Sequence, residues 1–254
     1  MTELMGIFAR LAGLAEPVFL GWFVVFLRVS AAVALLPAFG EATLPARVRL
    51  GIAIAFSLIV LPAVAPAPVL TPMLMLAEMA VGAAMGLALR FLVFALQTAG
   101  AIIAQSISLA QLFGGAGEPQ PVVGHFLTVA GLALAVALGL HVRAAQMFIL
   151  SYDLLPVGAP LAAADFAQWS VAQAARCLSL GLSLAAPFVI AALVYNMALG
   201  VINRAMPQLM VAMIGAPAIT LGGIALLAMA APVMLHLWHG ALETTLSAPL
   251  AVPK

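Results

Sequence analysis

Three charged side chains stand where charge is expensive. Arg28 interrupts an apolar run that begins near Pro17, and Glu78 and Arg90 interrupt a second run that begins at Pro72. An ionised side chain at the centre of a bilayer costs about 2.5–3.5 kcal/mol on insertion scales. On a straight helix Glu78 and Arg90 are separated by roughly 18 Å, so they cannot neutralise each other. Their partners must come from another helix, another chain or water. Two readings follow: polar contacts within an assembly or along a pathway, or snorkelling of the charged tips to a nearby interface. Gly82 and Gly86 lie between the two charges. That small-residue spacing lets another helix approach closely, although it is common in glycine-rich apolar sequence.

Catalytic chemistry has little to stand on. His125, His141, His236 and His239 are scattered, and Glu243 is the carboxylate nearest the last two, one turn on. No zinc-protease, nucleophile-elbow or phosphate-loop pattern occurs. Lys254 is the sole lysine, which removes a phosphate-binding or Schiff-base lysine. Cys177 is the only cysteine, so an internal disulfide framework is impossible, and its ordinary fate is a small buried apolar residue. A net charge of +1 offers nothing to nucleic acid. The sequence therefore predicts no enzyme, no metal and no cofactor.

The elements that must position these residues are membrane helices. Of 254 residues, 66% are hydrophobic and only 7% charged, against about 25% charged in a soluble domain. No Asp, Glu, Lys or Arg occurs from Leu50 to Ala77, Phe91 to Gly117, Cys177 to Asn203 or Ala205 to Leu242. Each run is long enough for the roughly 20 residues that cross a hydrocarbon core. Six main apolar segments are predicted, at about 17–38, 47–66, 72–111, 122–150, 174–200 and 208–237. The third is too long for one straight crossing. The stretch 1–16 reads as a short amphipathic helix. The first apolar segment is expected to be retained, since Glu16 precedes it and Arg28 breaks it, unlike a cleaved leader. Pro187, Gly215, Pro217, Gly222, Gly223 and Pro232 interrupt the last two segments. Such breaks suit a packed assembly or a cavity, or are ordinary proline kinks. No soluble domain or internal repeat is visible, so the chain is read as a single all-α membrane-embedded domain over 1–254. Its possible sub-parts are about 1–121 and 122–254.

Orientation is undecided. With six crossings, Arg47, Arg49 and Arg204 fall on one side and Arg10, Arg176 and Lys254 near the other, so the positive-inside rule has no grip. Gln97, Ala101, Gln105, Ser108 and Gln111 follow helical spacing on one face of the third segment, a polar stripe fit for a lumen or for helix contacts. Directly after it, Leu109, Leu112 and Phe113 lead into Gly114, Gly115 and Gly117. This is a glycine-rich loop with an apolar tip, read either as a plain surface connection or as a movable plug.

The run Asn203-Arg204-Ala-Met-Pro207-Gln208-Leu209, with Gly200 before it and Ile214-Gly-Ala-Pro217 after it, resembles the C-terminal signature of the FliR family of type III secretion export-gate proteins. Arg28, Pro37, Pro45, Arg47 and Leu61-Pro62 resemble its N-terminal pattern. Glu78, Gly82, Gly86, Phe91 and Gly100 resemble its middle, and Gly139-Leu-His141 and Leu155-Pro-Val-Gly158 follow in order. The resemblance implies a non-enzymatic, multi-pass protein of the bacterial inner membrane and flagellar basal body. It implies assembly as a single copy with the P and Q components of the export gate, with other export-apparatus membrane proteins and with membrane lipid. The assembly would be a helical cone around a channel for unfolded flagellar export substrates. It makes the loop of Leu109, Leu112, Phe113, Gly114, Gly115 and Gly117 a channel plug. It also makes Arg28, Glu78, Gly82, Gly86, Arg90 and Arg204 assembly contacts, with Asn203, Pro207 and Gln208 shaping the turn into the last hairpin. A virulence-type injectisome subunit is the near alternative. A secondary transporter of small solutes, built on broken helices around a midplane site, is the distant one.

Overall fold

The computed structural model describes residues 2–64, 70–107, 122–159, 162–206 and 211–251. Among them there are seven α-helices and no strand. They are α1 (Thr2–Leu35), α2 (Ala46–Val60), α3 (Pro72–Ser106), α4 (Val122–Ala137), α5 (Leu140–Leu154), α6 (Ala163–Ala205) and α7 (Val211–Ser247), with a short 3₁₀ turn at Leu61–Ala63. Five helices carry a stretch long and apolar enough to cross a membrane, and α4 and α5 together supply a sixth if the bent pair counts as one span. The protein is an all-α integral membrane protein.

Several helices exceed the runs of apolar sequence. The stretch 2–16 is no separate helix, since the α1 backbone continues through Pro17. The 35 residues of α3 extend about 52 Å and the 43 of α6 about 64 Å at 1.5 Å per residue, against a hydrocarbon core of about 30 Å. The segment expected to start near 174 begins at Ala163, eleven residues earlier in the chain, because a polar but helix-compatible stretch extends it. Asp165 in its first turn and Arg204 in its last both match the sign of the helix dipole. The segment expected over 122–150 is instead cut in two at Gly139, whose φ of 88° is left-handed and ends the first hydrogen-bonded run. The last helix runs ten residues beyond the expected 237, to Ser247.

The chain forms two compact units, each drawn from separate stretches of sequence. Unit 1 comprises Met1–Arg90, Val136–Ala172 and Glu243–Lys254. Its interior holds Val25, Val29 and Val33 of α1, Val81, Met85 and Leu89 of α3, and Phe148 of α5. Phe148 meets the edge of Phe56 with ring centroids 5.5 Å apart. Trp22 donates its indole N–H to Ser57 Oγ at 2.9 Å, tying α1 to α2. Unit 2 comprises Phe91–Ala135 and Gln173–Leu242. Trp238 is its largest fully buried side chain, and its Nε1–H donates to the Leu92 carbonyl at 2.8 Å. Gly100 of α3 meets Gly124 of α4 backbone to backbone, where a Cβ would have no room.

Candidate functional site

The centre of unit 1 is a buried ionic knot. Arg28 is 0% exposed and Glu78 1%. Arg28 Nε donates to Glu78 Oε2 at 2.7 Å and Nη2 to Oε1 at 3.1 Å, a two-pronged pair between α1 and α3. The remaining guanidinium protons go to α5 and the chain just past it. Nη1 donates to the Ser151 carbonyl at 3.1 Å, to Ser151 Oγ at 3.2 Å and to the Leu155 carbonyl at 3.0 Å, and Nη2 also reaches Leu155 O at 3.0 Å. Leu155 can accept because it follows the last residue of α5, where helical carbonyls lose their internal donors. The Tyr152 ring lies under the guanidinium at 3.8 Å. Glu78 Oε1 also accepts the Gly158 backbone N–H at 2.8 Å. All five guanidinium N–H groups and both carboxylate oxygens thus have partners, the condition under which a desolvated ion pair is tolerable.

Gly82 makes the knot possible. A Cβ there would collide with the Arg28 carbonyl, and one at Gly86 would lie 2.6 Å from the Ala32 carbonyl oxygen. The two glycines let α1 approach α3 closely enough for a short, two-pronged pair. Arg90, three turns beyond Glu78 on α3, pairs instead with Glu41 in the turn after α1, at 2.6 Å and partly exposed. Arg28, Glu78, Gly82 and Gly86 are therefore brought together, and Arg90 is held apart from them. Asn203 and Arg204 are exposed on the last turn of α6. Pro207 and Gln208, and the loop residues Leu109, Leu112, Phe113, Gly114, Gly115 and Gly117, lie outside the described residues. Gln97 and Gln105 are exposed on α3, while Leu92, Val93, Leu96, Ala99 and Ile103 on its other face are buried.

Sequence reasoning missed Ser151, Tyr152, Leu155 and Gly158 as partners of the knot, and Glu41 as the partner of Arg90. Ser151-Tyr152 next to Asp153 in an apolar helix was the available signal. The two backbone groups have none, because any residue supplies a carbonyl or an N–H. Among the described residues no group of histidine, cysteine, aspartate and glutamate could hold a metal ion.

The family described as bacterial export proteins, family 1, matches residues 19–245, which takes in the knot and every helix described. The chain belongs to that family. Relatives of this family 1 member bear it out along most of their length. A flagellar biosynthetic protein FliR of Caulobacter vibrioides is 33% identical over 224 residues, 84% of this chain and 89% of the relative. The FliR of Escherichia coli K12 is 30% identical over 225 residues, 84% and 85% of the two chains. That of Bacillus subtilis is 25% identical over 210 residues, 78% and 81%.

Proposed function

We propose that this family 1 protein is a structural and gating subunit of the flagellar type III export channel in the bacterial inner membrane. The observation that carries the reading is similarity to flagellar biosynthetic proteins over more than four-fifths of the chain, on a scaffold of helices longer than a bilayer is thick. Such helices suit a membrane assembly that projects beyond the hydrocarbon layer. The role is non-enzymatic: the chain helps to build and close a conduit for unfolded flagellar proteins, and its partners are the P and Q components of the export gate. The knot at Arg28 and Glu78 holds the shape of unit 1, Arg204 and Asn203 contribute assembly contacts at the end of α6, and the loop at Leu109–Gly117 plugs the closed channel.

The exposed face of the chain supports the reading. Ile190, Leu193, Val194, Met197 and Val201 recur at helical spacing on α6, each 60–69% exposed. In water such a face would drive aggregation; against lipid or neighbouring apolar helices it is stable. The test is purification of the tagged chain co-expressed with its genomic neighbours, followed by native mass spectrometry. One copy in a complex with the P and Q components is expected. A stable monomer or homodimer, indifferent to those partners, would overturn the proposal in favour of a transporter.

A further inference from the structure

The last described residue before the loop is held in a made-to-measure seat. Ile107 ends the run that begins with α3 and is 3% exposed. Its backbone N–H still bonds to the Ile103 carbonyl at 3.0 Å, so the helical geometry reaches it. Two residues of α7, three apart and hence on one face, receive it. Thr220, 2% exposed, donates its hydroxyl to the Ile107 carbonyl at 3.2 Å. Gly223 leaves open the space that the Ile107 side chain fills, and a Cβ at 223 would collide with Ile107 Cβ, Cγ2 and Cδ1 at once. A carbonyl at a helix C-terminus normally lacks a protein donor, and here α7 supplies one from a buried side chain.

We infer that Thr220 and Gly223 form a socket for Ile107 that fixes where the 108–121 segment leaves the scaffold, and that these are positioning residues for closure of the channel. The inference rests on the proposed plugging role of Leu109–Gly117 and adds to it the part of the rigid structure that aims the plug. A plug seals only if its root is held, because a shift at the root moves everything beyond it. The socket uses one hydrogen bond and one shape match, both within unit 2. It is separate from the Arg28–Glu78 knot, which lies in unit 1.

The test compares small-solute leakage through the membrane of cells producing the full export complex, with complex yield measured alongside. Thr220→Val keeps the shape and removes the donor, and a rise of about fivefold in leakage at unchanged yield is expected, the population shift that follows the loss of one hydrogen bond. Gly223→Ala evicts Ile107 and is expected to leak more, and Ile107→Ala combined with Gly223→Ala is expected to leak less than Gly223→Ala alone. A purely structural role would lower yield and leave leakage per complex constant, which would overturn the inference. Replacement of Leu109, Leu112 and Phe113 by glycine separates the two ideas. If that variant leaks while Thr220→Val and Gly223→Ala do not, the plug stands and the socket falls. If it does not leak, the plug reading itself falls.

Discussion

At the scale of the residue, the energetics turn on whether a buried charge keeps its partners. Arg28→Met leaves Glu78 ionised in an apolar interior with only a backbone N–H and a distant tyrosine hydroxyl at 3.5 Å. Breaking a buried pair from one side costs about 3–5 kcal/mol. The expected result is a large drop in the thermal midpoint of the detergent-purified complex. Arg28→Met with Glu78→Met removes both charges and is expected to recover much of that loss, since a hydrophobic replacement of the whole pair is often neutral or better. A double variant no more stable than the single would show that the knot matters for something other than charge balance. A second residue carries strain. Ala38 has a φ of 68° in the turn after α1, a conformation that costs an L-residue about 1–2 kcal/mol. Ala38→Gly relieves it and is expected to stabilise by somewhat less, because glycine loses more entropy on folding; thermal unfolding of the same complex reads the sign. The sequence marks Arg28 and Glu78 as charges in need of partners. It does not say that they are each other's, because they lie 50 positions apart and nothing local links them. Glu41 attracts no attention at all, since a carboxylate in a loop is ordinary.

At the scale of the element, glycines divide into those that permit a crossing and those that do not. Gly82 faces the backbone of Arg28 and Gly100 faces that of Gly124, whereas Gly21 and Gly51 have nothing within 4 Å of a built Cβ. Gly82→Val and Gly100→Val are expected to reduce complex yield severely, because the obstruction is backbone and cannot rotate away. Gly51→Ala is expected to leave yield unchanged or raise it slightly, since a helical glycine is less stable than alanine by roughly 0.5–1 kcal/mol. Equal yields across the set, measured by affinity purification, would contradict this division. Helix existence was legible from apolar runs and missing charges, and the glycine break at 139 was not, because nothing in the composition of 122–150 changes there. The ends of α6 and α7 were misjudged for a related reason. Apolarity locates the part of a helix that lipid or core covers, while Asp165 and Glu243 sit on turns that continue the same backbone. The socket at Thr220 and Gly223 was invisible from the sequence, where Gly223 reads as one more helix breaker.

At the scale of the whole molecule, burial is uneven. Within the chain, 61% of the α3 span is buried but only 17% of the α7 span. α3 is thus a central post of the protein, while most of α7 is surface. The isolated chain is expected to be recovered poorly and in aggregates after mild detergent extraction, and co-expression with its partners to raise the monodisperse yield several-fold; equal recovery in both cases would show that lipid alone satisfies the exposed faces. Membrane class and family resemblance were legible because they are spread over many residues. The interleaving of the two units was not, since it depends on contacts between distant segments. That interleaving governs how the protein can be made. Arg28 enters the translocation machinery long before Ser151, which follows it by 123 residues. At about 5–20 residues per second the ribosome takes roughly 6–25 s to cover that interval. During that time the nascent first helix carries a charge whose carboxylate partner is made early but whose carbonyl partners do not yet exist. The last stretch of unit 1, from Glu243 onward, is synthesised at the very end. A stalled or prematurely released chain therefore leaves an exposed, half-satisfied arginine in the bilayer, the kind of defect by which membrane quality-control proteases can recognise unfinished protein.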